Sequence, residues 1–372
     1  MSTTRILFVV NNPDFFLSHR LPIALAARDA GCEVHVATPA VPSSERIRSH
    51  GFTFHPFELS RKGASPLAEL RSFAQLAWLF RRLRPDLVHL VTIKPVLYGS
   101  IAARLLSVPR VVAAVSGLGY IFIAQGARAT LRRKLVELGY RFAFAHPKLS
   151  VIFQNPDDRD ELVGRGLVEA EDSVLIRGSG VNIAQFVPTP EPKGTPTVVL
   201  ASRLLLDKGV REFVEAARSL RSRGLEARFV LVGAVDAGNP ASLSEDDVRS
   251  WVAEGTVEWW GHREDMPEVF AQAHIVCLPS YREGLPKVLL EAAACGRAIV
   301  TTDVPGCREV VQHEENGLLV PARDSVALAD ALRTLVADSE RRRLFGQRSR
   351  RRAETEFSLE HVIRETLRLY GL

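Results

Sequence analysis

The stretch REGLPKVLLEAAACGRAIVTTD, residues 282–303, places two carboxylates eight positions apart around a Gly-Leu-Pro. Proline is tolerated in the first turn of a helix and not in its interior, so Pro286 is expected to open one. Glu283 then lies in the loop after the strand HIVCLPS, and Glu291 in the second helical turn among Leu289, Leu290, Ala292, Ala293 and Ala294. A carboxylate in such company is costly to bury without a partner, so Glu291 either faces solvent or serves a group that pairs with it. A second candidate is cationic. Arg203 and Lys208, in ASRLLLDKGV, sit after a strand and before a helix, where cations can clamp a pyrophosphate; the alternative is two solvated loop residues. The backbone N–H groups of Gly284 and Leu285 precede a helix start, a natural phosphate site, and glycine there allows close approach.

These residues need rigid elements to hold them. In the first half RILFVVNN, EVHVATP, LVHLVT and RVVAAVS read as strands, and LSHRLPIALAARDAG as one helix ending at Gly31. Residues 183–196, with four prolines and little apolar periodicity, read as a linker. The pattern then restarts with TVVLAS, a helix over 210–222, RFVLVG, TVEWWG, a helix over 264–273, IVCLPS, a helix over 286–295, AIVTTD, GLLV and a helix over 325–337. Apolar strands separated by helices imply parallel sheets covered on both faces, and two such halves make two doubly wound α/β domains facing a cleft. The expected division is a first domain over 1–182, the linker over 183–196, a second domain over 197–356 and a final helix over 357–372. That helix carries Leu359, Val362, Ile363, Leu367 and Tyr370 on one stripe with Ser358 as N-cap, and is expected to pack back onto the first domain.

Composition narrows the function. At 372 residues two domains are the default. MSTTRILFVVNN has too short an apolar run for a signal peptide and reads as a first strand. The longest uncharged stretch, Val111 to Ala127, falls short of the roughly 20 residues of a membrane-spanning helix. Cys32, Cys277, Cys295 and Cys307 are scattered without a CxxC pair, which fits a reducing cytoplasm and neither a disulfide framework nor a zinc site. Residues 1–150 hold 20 Lys and Arg against 8 Asp and Glu; with 48 and 43 in the whole chain, residues 151–372 hold 28 and 35. Such asymmetry points to a polyanionic partner for the first half. In ARATLRRKLVELGYRFAFAHPK, Arg128, Arg132, Arg133 and Lys134 stack beside Leu131, Leu135, Leu138, Phe142 and Phe144, an amphipathic basic helix suited to an anionic membrane surface. SERRRLFGQRSRRRAETEF mixes acids into its basic run and reads as a solvated helix.

The motifs together resemble the family-4 retaining glycosyltransferases, which have the two-domain GT-B fold. Glu283 and Glu291 match that family's E-x7-E signature, Arg203 and Lys208 its two basic positions, and ENGLLVPARDSVALADAL its continuation. The resemblance covers about residues 197–337. More loosely, FFLSHRLPIALAARDAGCEVHVATP and HLVTIKPVLYGSIAARLL resemble the branch that elongates polyprenyl-diphosphate-linked sugars in bacterial surface-glycan assembly. The resemblance implies a nucleoside diphosphate sugar, UDP-linked, as donor and a polyprenyl-diphosphate-linked saccharide as acceptor. It further implies that Glu291 accepts hydrogen bonds from the ribose hydroxyls and that Glu283 lies near the donor-sugar hydroxyls. Retaining transfer builds negative charge on the departing diphosphate, which suits waiting cations at Arg203 and Lys208. No metal or cofactor is expected, the nucleotide sugar being a substrate, and the expected location is the cytoplasm, peripheral on the inner face of the cell membrane.

The chain departs from the family pattern in the first domain. NNPDFF replaces a Gly-Gly loop, and no histidine stands between Val111 and Ile123. His19, at an expected helix start, Lys94 after a strand, and Ser116 and Gly117 are the acceptor-side candidates, Lys94 for an acceptor phosphate. Other classes fit less well. A dinucleotide oxidoreductase needs G-x-G-x-x-G after a strand, which is missing from FVVNNPDFF and VLVGAVDAG. Nucleic-acid binding lacks a helix-turn-helix, zinc or aromatic stacking signature. A sugar-nucleotide epimerase of the same fold, or a non-catalytic nucleotide-sugar-binding protein, would share the donor contacts but leaves the basic amphipathic helix unexplained.

Overall fold

The computed structural model describes residues 3–59, 66–118, 127–236 and 238–372, with the backbone alone at 127–133 and 135. The chain divides into two compact units, Met1–Ser179 with Val362–Leu372, and Gly180–His361.

In the first unit the strands are β1 (Arg5–Val10), β2 (Glu33–Thr38), β3 (Thr53–Pro56), β4 (Leu87–Val91), β5 (Arg110–Val115), β6 (Leu149–Phe153) and β7 (Ser173–Leu175). They form a parallel sheet in the order β3-β2-β1-β4-β5-β6-β7. Side chains alternate between the faces of a strand, and both faces here are apolar. Leu7 and Val9 pack with Leu76, Phe80, Val96 and Tyr140 from the helices Pro66–Leu83, Ile93–Leu105 and Ala127–Phe144. Ile6, Phe8 and Val10 pack with Phe16, Ile23 and Ile47 on the other side.

The segment read as one helix to Gly31 is two, Pro13–His19 and Leu21–Asp29, broken at Arg20. Pro22 is the cause: it has no N–H to give the Ser18 carbonyl, and its ring clashes there, so the first helix stops. The helix Leu359–Tyr370 completes this second face. Val362 and Tyr370 are buried with Phe8 and Phe16, and the Tyr370 hydroxyl hydrogen-bonds with His89 Nδ1 at 2.6 Å. Arg110 donates to the Tyr370 carbonyl, and Ser358 Oγ accepts from the His361 N–H at 3.3 Å, as an N-cap does.

The second unit holds β8 (Thr197–Ala201), β9 (Arg228–Val232), β10 (Glu258–Trp259), β11 (Ile275–Leu278), β12 (Ala298–Thr302) and β13 (Gly317–Val320), parallel in the order β10-β9-β8-β11-β12-β13. Helices Val210–Ser222 and Ser325–Ala337 cover one face through Phe213, Leu220, Leu328 and Leu332. Met266–Ala271 and Lys287–Ala294 cover the other through Phe270, Leu289 and Leu290. In both sheets the strand order reverses beside the first strand of the unit, between β1 and β4 and between β8 and β11. Ligands of open α/β sheets bind off the carboxyl ends of the strands at such a reversal.

Two expectations about the connecting parts need correction. Residues 183–196 belong to the second unit and are tied along it. Phe186 is buried, Arg297 donates to Thr189 Oγ1, His274 Nε2 meets the Pro192 carbonyl at 2.9 Å, and Arg342 pairs with Glu191 at 2.9 Å. The prolines remove regular structure without removing contacts. The helix Ser339–Glu356, read as solvated, buries Arg342, Phe345, Ser349 and Ala353. Its arginines reach backbone carbonyls: Arg350 donates to that of Phe186 in the proline-rich segment at 2.7 Å and to the helix-end carbonyl of Ala294 at 2.8 Å, and Arg352 to the helix-end carbonyl of Val310 at 3.0 Å. A long apolar stem with a multi-donor head suits arginine to this task.

Candidate active site

The strand-end loops of the second unit bring the predicted donor residues onto its reversal point. Lys208 closes a short helical turn, Leu206–Lys208, just past β8, and Glu283 lies in the loop after β11. Their side chains form an ion pair, 18% and 12% exposed. Ser280, fully buried, donates its hydroxyl to the same Glu283 oxygen at 2.7 Å, and Thr302 at the end of β12 in turn donates to the Ser280 carbonyl. One carboxylate is thus fixed by a cation and a hydroxyl, each anchored at a strand end. Lys208 has three N–H donors, and Glu283 takes one.

Glycine makes this approach possible at two positions. Gly209 has φ +70°, and a Cβ there would collide with the Pro279 carbonyl, so the loops after β8 and β11 close together only around glycine. Gly306 has φ +79° and lies against the carbonyls of Glu283 and Gly284, bracing their loop from the β12 side.

The helix of Glu291 runs from Lys287 to Ala294, with Pro286 at its N-cap, one position earlier than a first-turn proline, and no side chain capping it. Gly284 and Leu285 are buried immediately before that start. Glu291 does not face solvent: it is 7% exposed. Burial pushes its carboxyl above the ordinary value, and Lys287, one turn earlier at 3.2 Å, pulls against that. The Arg203 guanidinium is 63% exposed and lies 3.4 Å from Asp236.

Sequence reasoning missed a second cluster here. The Tyr281 hydroxyl donates to Glu212 at 2.5 Å, and the Arg323 guanidinium lies over the Tyr281 ring at 4.6 Å. The N–H of Tyr281 also bonds the Asp207 carbonyl at 2.9 Å, so the residues flanking Lys208 and Glu283 are tied by backbone as well. A tyrosine two positions before Glu283 was the available signal.

The first unit has its own cavity at the carboxyl ends of β1, β4 and β5. It measures about 330 Å³ and is lined by Asn11, Leu59, Thr92, Ile93, Lys94, Ser116 and Gly117, within the size range of small-ligand sites. Three of the four acceptor-side candidates meet there. Thr92 has φ 73° and ψ 164°, a region open essentially to glycine alone, and holding a β-branched residue there costs on the order of 1–3 kcal/mol. The hydroxyl oxygens of Thr92 and Ser116 are buried without a hydrogen-bond partner. Lys94 Nζ donates to Glu69 Oε1 at 2.5 Å, and the Tyr98 hydroxyl to Glu69 Oε2 at 2.5 Å. Burial pushes the Glu69 carboxyl up, but the bonds from Lys94 and Tyr98 outweigh it and hold the group below the ordinary value. Neither Glu69 nor Tyr98 was foreseen.

His19 does not start a helix. It is the last residue of Pro13–His19, where its ring stacks on Phe15 with centroids 4.0 Å apart, and it does not line the cavity. On the helix Ala127–Phe144, Lys134, Leu138, Arg141 and Phe142 are exposed, whereas Phe144, expected on the membrane stripe, is buried in the core. The side chains of Arg128, Arg132 and Arg133 lie outside the described residues. Among the described residues no helix is long and apolar enough to cross a membrane, and no group of three His, Cys, Asp or Glu is placed to hold a metal.

Two parallel-sheet Rossmann-like units, the second with a lysine–glutamate pair at its strand reversal, define a GT-B glycosyltransferase. The comparisons agree. Residues 195–338 match the family described as "Glycosyl transferases group 1", and residues 5–147 the family "Glycosyl transferase 4-like". The chain is 33% identical over 350 residues to N,N'-diacetylbacillosaminyl-diphospho-undecaprenol alpha-1,3-N-acetylgalactosaminyltransferase of Campylobacter jejuni, covering 88% of this chain and 90% of that one. It is 24% identical to an Escherichia coli UDP-Gal:alpha-D-GlcNAc-diphosphoundecaprenol alpha-1,3-galactosyltransferase, covering 73% and 71%. Among solved structures, HepE of Anabaena in complex with UDP and glucose superposes with a TM-score of 0.78 at 20% identity, over 99% of both chains. The chain therefore belongs to the group 1 and 4-like glycosyltransferases of the GT-B fold.

Proposed function

We propose that this enzyme moves one sugar, a hexose or N-acetylhexosamine, with retention from a UDP-sugar to a polyprenyl-diphosphate-linked saccharide in bacterial surface-glycan assembly. The observation that carries this reading is the identity across nearly the whole chain with a transferase named for a diphospho-undecaprenol acceptor. The site geometry suits the chemistry. An acceptor hydroxyl attacks the anomeric carbon on the face the diphosphate leaves; the carbon–oxygen bond to phosphate breaks and the hydroxyl proton passes to the departing phosphate. Lys208, with Arg203 and the N–H groups before the Glu291 helix, meets the charge that develops there. Glu283, held by Lys208 and Ser280, orients the donor sugar, and Glu291 takes the ribose hydroxyls, whose two O–H donors offset its burial. With these cations in place the transfer needs no resident metal, so turnover is expected to survive a chelator; activity lost to chelator and restored by a divalent ion overturns that part.

The first unit is proposed to rest on an anionic membrane surface through the exposed Lys134, Leu138, Arg141 and Phe142. Arg104 lies over the Phe142 ring at 4.4 Å and extends the cationic surface to the neighbouring helix. Mixed apolar and cationic side chains bind such interfaces. No nucleic acid partner is proposed.

The test pairs purified protein with bacterial membranes and a panel of radiolabelled UDP- and GDP-sugars. Label from one donor entering the organic phase supports the reading and names the sugar. Donor consumed with all label left in water overturns the lipid acceptor and favours an epimerase, a hydrolase or a soluble acceptor.

A further inference from the structure

Lys208 reaches out from a turn that glycine leaves pliable. Gly209, with φ +70°, directly follows it, and the lysine stem is itself flexible over four carbons. The bond to Glu283 does not by itself aim the ammonium, because both ends of that pair are side chains. A separate residue, Tyr281, ties the turn down on both sides of Lys208. Its N–H bonds the carbonyl of Asp207, one position before the lysine, at 2.9 Å. Its hydroxyl donates to Glu212 Oε1, about one helical turn after the lysine, at 2.5 Å. The Arg323 guanidinium, 4.6 Å away, covers a face of the same ring. Tyr281 stands two positions before Glu283, so this strap joins the two loops that carry the ion pair. Glu212 is given over to it. An ionised carboxylate can accept about four hydrogen bonds, yet among the described residues Tyr281 is its one hydrogen-bond partner, and Oε2 is buried without any. Such a group is suited to fixing one ring rather than to gathering bonds.

We propose that Tyr281 and Glu212 are positioning residues for the transfer: they hold the turn of Lys208 against the Glu283 loop, so that the ammonium stays aimed at the departing diphosphate. This rests on the role given to Lys208 above. Both residues act through Lys208 and not on the substrate. Misplacing a catalytic group by a small distance slows the reaction even when the change lies away from the reacting atoms.

The test reads nucleoside diphosphate released from the sugar donor in the presence of bacterial membranes, for variants made singly and together with Lys208→Met. Tyr281→Phe removes one oxygen from a ring that keeps its shape. It is expected to lower kcat by about 10-fold, the scale of one hydrogen bond to a charged group. The donor KM should stay within about twofold of the unaltered enzyme, which also shows that the variant is folded. Glu212→Ala should match this loss, and Glu212→Gln, which keeps an acceptor oxygen, should recover part of it. In the Lys208→Met background Tyr281→Phe should change kcat by less than about twofold, because the group it aims is gone. A merely structural role would cost the same factor in both backgrounds. An unchanged kcat in Tyr281→Phe, or an equal loss with and without Lys208, overturns the proposal and leaves the proposed function standing. Release without lipid-linked product overturns the lipid acceptor and leaves this comparison to decide the strap. Full activity in Lys208→Met, or no release by the unaltered enzyme, overturns the role of Lys208 and this proposal with it.

Discussion

The carboxyl ends of the two sheets carry a lysine–glutamate pair each, built in opposite ways. In the second unit Lys208 and Glu283 both come from strand-end loops, and glycines at 209 and 306 let those loops close on one another. In the first unit Lys94 opens a helix, but its partner Glu69 arrives from a separate helix packed on the sheet, and the turn leading to Lys94 is strained at Thr92. A pair made by loops alone keeps both partners at the ligand's edge of the sheet. A pair made across packed helices draws its acid from a second element, and of the two only the base is among the described residues that line the cavity. The same two residue types are thus brought together by two loops in one place and by two helices in the other.

The largest test of that contrast is Lys208→Met. Removing a donor aimed at developing charge typically lowers kcat by about 10²–10³-fold, with a smaller change in donor KM, because the charge peaks in the transition state. Weaker donor binding with an unchanged single-turnover rate would make Lys208 a ground-state binder only.

Thr92→Gly sharpens the comparison from the first unit. An interior Thr→Gly ordinarily loses roughly 1 kcal/mol through chain entropy, whereas here relief of a glycine-only conformation should cancel that loss or reverse it. The midpoint of urea unfolding decides; a clear loss of stability would mean that the turn is unstrained.

The smallest expected effect is in pH. On the proposed reading, ribose hydroxyls bind the ionised Glu291 carboxylate more tightly than the protonated form, so donor binding should release a proton and strengthen as pH rises through the raised carboxyl titration. The change should be a few-fold, within the ordinary reach of one hydrogen-bonded carboxylate, and Glu291→Gln should flatten it. A donor KM that rises with pH over the same range would place Glu291 away from the ribose.

The second unit was largely legible because its chemistry is local. Residues at strand ends, punctuated by Gly209 and Pro286, announce both the element and the loop that follows. Glu291 was ambiguous for a physical reason: in a short helix with apolar residues on several sides, spacing cannot say which side is covered. Glu69 was illegible, since a single acid in a helix with mixed faces shows nothing of the lysine it meets 25 positions later. Arg342, Arg350 and Arg352 were misread because counting charge assigns them to water, while arginine reach lets them close helix ends. The break at Arg20 was readable, in Pro22, and was passed over for the apolar periodicity around it.

The helix Leu359–Tyr370 has a consequence for synthesis. Phe8 and His89 are made early, yet Tyr370, which covers them, follows only after the whole second unit has been translated. At about 5–20 residues per second, the first unit waits on the order of ten seconds or more with that apolar patch uncovered. The nascent chain is therefore most open to chaperones, and to aggregation, on the part synthesised first, and a ribosome stalled before residue 362 leaves that part unfinished however long it is given.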